Sequence, residues 1–173
     1  TAARVAELLG EFGIAVHTNI GGTGVVGVLK KGSREFAIGL RADMDALAVN
    51  EENSFRHASA NKGMMHACGH DGHMAMLLGA ARTLAENQSF DGTVIFIFQP
   101  AEEHGRGAQA MIDAAYQSAK QILSGHRRDL EAMAELLLEK EKIDAQDILR
   151  ILGPGVASQE GPPEQRPELA AAR

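Results

Sequence analysis

Apolar residues recur at helical spacing over the first dozen positions. Val5, Leu8, Leu9 and Phe12 form one stripe, and Gly10 and Gly13 mark the end of the helix it predicts. Ile14 to His17 reads as a short strand and Gly21-Gly22-Thr23-Gly24 as a turn. Two β-rich runs follow, Val25 to Leu29 and Phe36 to Leu40, and Lys30-Lys31-Gly32-Ser33 between them predicts a hairpin. Met44 to Ala67 shows no period, and so long a loop in a small domain is a candidate functional segment. Asp71 stands where it can cap a helix with Met74, Leu77, Leu78, Ala81 and Leu84 on its apolar face. Thr93 to Phe98 is an unbroken apolar-rich run between Gly92 and Pro100, the pattern of a strand buried on both faces.

Beyond residue 107 the pattern is helical only. Ala108 to Leu123 contains no breaker and runs into Ser124-Gly125, a helix-end signal. Leu130, Met133, Ala134, Leu137, Leu138 and Glu141 follow a helical stripe over a strongly charged opposite face. Asp144 then precedes Ile148, Leu149, Ile151 and Leu152, a short capped helix stopped by Gly153-Pro154. Residues 153–173 have no repeating apolar face and are rich in Pro, Gly, Glu and Ala, so disorder is expected there. The predicted fold class is α/β, a partial mixed sheet flanked by helices, followed by an all-α extension and a disordered tail. The expected divisions are 1–113, 114–152 and 153–173.

Composition sharpens this picture. Six of the seven histidines and all six phenylalanines precede residue 105, and four of the five prolines fall after residue 153, so the regions differ in character. At 173 residues with 45% hydrophobic and 23% charged side chains, the chain suits one soluble domain with an appendage. A net charge of −6 supplies no basic footprint, which argues against nucleic acid as a partner. No apolar run approaches the roughly 18 residues of a membrane span. A single cysteine excludes an internal disulfide and fits a reducing compartment, so a cytoplasmic location is expected. The chain opens on Thr1 without a signal-peptide pattern, which points to a fragment.

Candidate chemistry is confined to residues 41–104. Arg41-Ala42-Asp43-Met44-Asp45, His66-Ala67-Cys68-Gly69-His70-Asp71-Gly72-His73 and Gln99-Pro100-Ala101-Glu102-Glu103-His104 each lie just after a strand or just before a helix. Open α/β sheets place ligands at such positions. Thiolate, imidazole and carboxylate together form a transition-metal donor set that zinc accepts. The Cys68-Gly69-His70 spacing lets one tight loop offer two donors to one ion. Adjacent glutamates after a buried strand repel each other unless a cation holds one, which leaves the other free as a general base for metal-bound water. Taken singly, each cluster also has an ordinary reading, a buried cysteine or a solvated Glu-Glu turn. His17 and His57 stand alone and read as surface or satisfied histidines. His104 is either an outer contact of the glutamates or a loop residue. Gly21-Gly22-Thr23-Gly24 lacks the lysine of a phosphate-binding loop and is a turn.

Several segments resemble a known family. They are GVVGVL (Gly24 to Leu29), LRADMDAL (Leu40 to Leu47), MHACGHDGHMAMLLGAA (Met65 to Ala81) and GTVIFIFQPAEE (Gly92 to Glu103). They are similar to the N-terminal catalytic portion of the dimetal aminoacylase/carboxypeptidase family, in the branch of hippurate hydrolase and N-acyl-amino-acid amidohydrolases. The resemblance, over about residues 2–113, implies two divalent ions, commonly zinc, manganese or cobalt. It implies Cys68, His70 and Glu103 as metal ligands and Glu102 as the general base in hydrolysis of N-acyl amino acids or small peptides. The sequence departs from the pattern in having Ala48 where the family has proline. It also lacks the family's further ligand histidines and the lid and dimerisation domain, so by analogy only part of the ligand set is here.

Residues 114–160 resemble something else. AYQSAKQIL (Ala115 to Leu123) and HRRDLEAMAELLLEKEKIDAQDILRILGP (His126 to Pro154) are similar to the C-terminal helical end of FtsH-type ATP-dependent zinc proteases. No active-site residue of that family is included. The sequence thus reads as a composite, with three functional expectations. The first is a metal-dependent amidohydrolase or metallopeptidase domain, incomplete in this chain. The second is a fragment of an ATP-dependent zinc metalloprotease acting as a scaffold. The third is a non-enzymatic helical interaction module using the Leu130–Leu138 stripe, with any oligomer formed through that segment or the missing domain.

Overall fold

The computed structural model of the protein describes residues 1–87 and 89–153. The tail expected to be disordered lies, past Gly153, outside the described residues. The chain divides into two compact units, one comprising Thr1–Gln117 and the other beginning at Ser118.

The first unit is built on four strands in the order β1-β2-β4-β3: β1 (Ala15–Ile20), β2 (Gly24–Lys31), β3 (Ala37–Asp43) and β4 (Gly92–Gln99). Helix α1 (Ala2–Glu11) precedes β1, and α2 (His70–Asn87) lies between β3 and β4. Both helices sit on one face, where Val5, Leu9, Met74, Leu77 and Ala81 pack with Val25, Leu29, Ala42, Val94, Phe96 and Phe98 in a single core. Gly27 belongs to this face because Leu9 and Ile14 approach too closely to leave easy room for a Cβ.

The hairpin expected between Val25–Leu29 and Phe36–Leu40 does not form. β2 pairs antiparallel with β4 from Val25↔Phe98 to Lys31↔Gly92, and β3 pairs parallel with β4 from Ala37↔Thr93 to Asp43↔Gln99. β4 carries the longest apolar run, and a central position with partners on both sides lets that run bury the most surface. The loop that would have closed the hairpin is tied to the start of β4 instead. Asp91 Oδ1 accepts the backbone N–H groups of Ser33 at 2.8 Å and Arg34 at 2.9 Å, and Gly32 turns the chain there with φ 70°.

Burial of β4 on both faces is also only half realised. Phe96 and Phe98 are fully buried and Val94 nearly so, whereas Ile95 and Ile97 on the other face are half-buried, as are Val26 and Val28 beside them. The covering helices are both on the first face. On the second face the start of α3 (Gly107–Gly125) meets the sheet, with Met111 against Gly24 and the Ala110 backbone against Gly21.

Helix α2 begins at His70, one residue before the expected cap. The Gly69 carbonyl accepts from Gly72 and His73, so Gly69, with φ 89°, stands at the cap position, and Asp71 accepts only from its neighbour Gly72. Residues 44–69 are irregular apart from an isolated bridge between Leu47 and Met65. The parallel register brings β3 and β4 to an end together, at Asp43 and Gln99, and Met44 N–H donates to Gln99 O at 2.8 Å. The loops that leave these strand ends therefore start side by side.

The second unit contains the end of α3, then α4 (Arg127–Lys140) and α5 (Ala145–Leu152). Glu141 ends α4 in the left-handed conformation, φ 59°, and so leaves the stripe that its sequence position suggested. Asp144 and Asp147 form a reciprocal capping box at the start of α5, and Lys140 Nζ lies 2.9 Å from Asp147 Oδ1. Leu130, Leu137 and Leu138 are exposed, Leu138 at 85%.

Candidate metal centre

Three chain segments meet at the ends of β3 and β4. The first supplies Asp43, buried at the last position of β3, and Asp45 two residues on. The second is the Cys68-Gly69-His70 turn that starts α2. The third is the loop after β4, folded tightly by Gly105 N–H to Glu102 O and Gly107 N–H to Ala101 O. Gly107 fits only because it has no side chain. A Cβ there would collide with the Pro100 carbonyl, so the start of α3 is held against the backbone just ahead of Glu102.

His70 is at the centre, 2% exposed. Its Nδ1 lies 3.0 Å from Asp45 O and 3.3 Å from Asp45 Oδ1. A proton on Nδ1, donated to that carbonyl, leaves the Nε2 lone pair free. Nε2 faces Glu102 Oε2 at 3.7 Å, Glu103 Oε1 at 3.8 Å and Asp43 Oδ2 at 3.8 Å. These separations are too long for hydrogen bonds but suit donors around one ion, since two atoms each about 2.1 Å from a tetrahedral cation sit roughly 3.4 Å apart. Asp45 braces the arrangement from behind, its Oδ2 accepting the Glu103 N–H at 3.0 Å.

Two sets of donor atoms lie within 4.8 Å of one another: Cys68, His70 and Glu103, and Asp43, His70 and His73. The four residues singled out from the sequence, Cys68, His70, Glu102 and Glu103, are thus brought to one place. Asp43, Asp45 and His73 were visible only as members of the motifs, with no role attached. The available signal was the Asp-x-Asp at a strand end, and its use required knowing that β3 and β4 end in register. His57 stacks on Phe55 within the 44–69 loop, centroids 4.0 Å apart, and His17 lies on β1. His104 is exposed in the turn after the glutamates. Gly21–Thr23 make the turn from β1 to β2.

The electrostatics fit a cation. Asp43, Asp45, Glu102 and Glu103 converge with one arginine, Arg41, which lies 2.8 Å from Asp43 Oδ2. Burial alone would raise the Asp43 carboxyl, but the hydrogen bond to His73 and the electrostatic influence of the neighbouring His70 and Arg41 side chains outweigh it and hold it below the usual carboxylate range. Asp45 is likewise held low against burial by the backbone N–H groups of Glu103 and Glu102. The Cys68 thiol is pushed up, chiefly by the Glu103 carboxylate as hydrogen-bond partner and as negative charge. A divalent ion reverses that effect, because it binds thiolate and neutralises the acids that oppose it. Asp45 Oδ1 and His66 Nδ1 are buried here without a hydrogen-bond partner. A donor set of thiol, imidazole and carboxylate with orphaned polar atoms beside it fits a divalent transition metal.

A family model described as Peptidase family M20/M25/M40 matches residues 39–161. The chain is 55% identical over 113 residues to a hippurate hydrolase from Campylobacter jejuni subsp. jejuni serotype O:2, covering 65% of this chain and 29% of the relative. It is 47% identical over 114 residues to an N-acetyl-L-cysteine deacetylase from Bacillus subtilis, covering 65% of this chain and 27% of that protein. Among solved structures it is similar to a Bacillus subtilis protein described as a dinuclear metal binding peptidase from the M20 family, with TM-score 0.62 and 38% identity. That match covers 66% of this chain and 33% of the other. The chain thus spans no more than about a third of the length of these relatives.

Proposed function

Because the chain belongs to peptidase family M20/M25/M40, we propose that it carries one part of a metal-dependent amidohydrolase centre acting on N-acyl amino acids or small peptides. The observation that carries this reading is the convergence of Cys68, His70 and Glu103 on one point, with Glu102 beside the same His70 nitrogen. Cys68, His70 and Glu103 would hold a divalent ion, with zinc, manganese and cobalt as candidates, and Glu102 would be the general base. A bound ion supplies Lewis acidity for the amide carbonyl and lowers the pKa of water. Glu102, whose side chain is 41% exposed against 25% for that of Glu103, takes the proton of the attacking water on a carboxylate oxygen and delivers it to the departing amine nitrogen. Asp45 keeps His70 in one tautomer and holds the Glu103 backbone at the same time. The names of the relatives, hippurate hydrolase and N-acetyl-L-cysteine deacetylase, support small N-acyl amino acids as the substrate class.

Metal content and hippurate hydrolysis test this reading. The purified chain should retain a divalent ion after gel filtration, and Cys68→Ala should lose it. Retention of the full metal content by Cys68→Ala would overturn the ligand assignment. Hydrolysis should be weak or absent in this chain alone and abolished by Glu102→Gln wherever it is detectable.

Residues 114–152 form a separate helical segment in this proposal, resembling the C-terminal end of an FtsH-type protease and serving as a scaffold or oligomer contact. In its favour, the alignments to the relatives run over 113 and 114 residues, about the length of the amidohydrolase-like part, although the family model continues to residue 161. Limited proteolysis of the whole chain should cut first between about residues 113 and 126; resistance there with cleavage inside the sheet would contradict the division. A cytoplasmic location belongs to the same proposal, supported by the exposed free thiol of Cys68. Among the described residues, no helix is long and apolar enough to cross a membrane.

A further inference from the structure

The two donor sets share His70, and they share the same atom of it. Nδ1 is occupied by Asp45 O, so both sets must use Nε2, and an imidazole nitrogen has one lone pair. The sets are therefore alternatives: an ion held by Cys68, His70 and Glu103 excludes one held by Asp43, His70 and His73. What differs between them is how far the other donors are already engaged.

Both oxygens of Asp43 are taken. Oδ2 accepts Arg41 Nη1 at 2.8 Å and Oδ1 lies 2.7 Å from His73 Nδ1. Arg41 is itself fixed from the other side, its Nε donating to Gln99 Oε1 at 3.0 Å, and Asp43 and Gln99 are register partners across β3 and β4. The guanidinium is thus locked to the two strand ends. A cation approaching Asp43 meets a fixed positive charge. Among the described residues no arginine or lysine pairs with Cys68 or Glu103, and a thiolate and a carboxylate there offer two negative charges to a divalent ion.

Resting on the reading of Cys68, His70 and Glu103 as ligands, we propose that Arg41 is a positioning residue that withholds Asp43 from the metal and so reserves His70 for the thiolate-containing site. Arg41 touches neither ion nor substrate. It selects a soft sulfur-containing donor set over a harder nitrogen–oxygen one, and with it the class of metal the centre prefers. His73 shares the task by occupying the second Asp43 oxygen.

Cobalt(II) added to the metal-free full chain provides the test, because a cobalt–thiolate bond gives a near-ultraviolet charge-transfer band that an all-nitrogen–oxygen site lacks. The wild type should show the band and Cys68→Ser should lose it. Asp43→Asn should keep it. Arg41→Met should weaken it at a fixed cobalt-to-protein ratio, by roughly tenfold if the loss matches that of other outer contacts of metal ligands. Adding Asp43→Asn to Arg41→Met should restore it. An undiminished band in Arg41→Met, a lost band in Asp43→Asn, or a weakened band that the double variant does not restore would each overturn the clamp while leaving the ligand assignment standing. Bound cobalt without a band in the wild type would overturn the ligand assignment itself. If Arg41→Met does not fold, Asp43→Asn decides alone: a retained band supports an outer role for Asp43 and a lost one refutes it.

Discussion

Asp43 shows how much one side chain's surroundings decide. The residue is 4% exposed, yet its carboxyl is held below the usual range because His73, His70 and Arg41 favour the charged form more than burial opposes it. A carboxyl depressed on folding contributes stability that is fully present above its unfolded pKa of about 3.9 and is lost as pH falls through the lower folded value. The metal-free protein should therefore lose thermal stability as pH drops below about 4, and Asp43→Asn should flatten that acid limb. Parallel unfolding curves for the two proteins would show that the pairing contributes nothing. Cys68 behaves oppositely, its thiol pushed up by Glu103. Cys68, His70, Glu102 and Glu103 were readable as candidates from residue type and spacing, because thiolate, imidazole and carboxylate donors crowd into short motifs there. The partners of Asp43 were not, since Arg41 is close to it in sequence while His73 is thirty residues away.

The elements translate from sequence, while their pairing, capping and burial do so only in part. Helices α1 and α2 lie where apolar spacing placed them, and β4 where its uninterrupted run did. Local turn signals suggest that β2 pairs with β3, yet they say nothing about which distant strand competes for the same edge, and β4 takes it. The tight start of α3 gives a direct check. Gly107→Ala should destabilise the loop that carries Glu102 and Glu103, because the new methyl meets the Pro100 carbonyl backbone, which cannot swing aside. Circular dichroism melts and metal retention measured together would reveal it, and a variant as stable as the wild type would contradict the close approach. In the second unit, Asp144 accepts the Asp147 N–H at 2.8 Å. Asp144→Ala should cost about 1 kcal/mol of α5 stability, measurable by chemical denaturation.

At the scale of the first unit, one sheet face is closed by α1 and α2, while among the described residues Val26, Val28, Ile95 and Ile97 on the other face are half-buried. Stability of the first unit therefore depends on one core, with Phe96 and Phe98 fully buried at its middle. Phe96→Ala should lower unfolding free energy by roughly 3–5 kcal/mol, a large share of what a small domain has. A loss under about 1 kcal/mol would mean that the core collapses around the gap. The same architecture locates the centre. Parallel pairing of β3 with β4 brings the Asp43 and Gln99 ends level, and α2 starts over them with His70. Chemistry thus gathers at the carboxyl ends of adjacent parallel strands, where loops leave side by side.

Residue patterns along the chain already carry the α/β character of the first region, the helical character of the second, and candidate donors in Cys68, His70 and Glu103 with Glu102 as the candidate base. These follow from local properties: side-chain periodicity, turn chemistry and the identity of donor atoms. The three-dimensional arrangement adds that β4 separates β2 from β3, that one face of β4 is left half-covered, and that Asp43, His73 and Arg41 gather beside His70. Such facts arise from pairings between residues tens of positions apart, and those are chosen by the total surface buried and the charges brought together, quantities no short window of sequence contains.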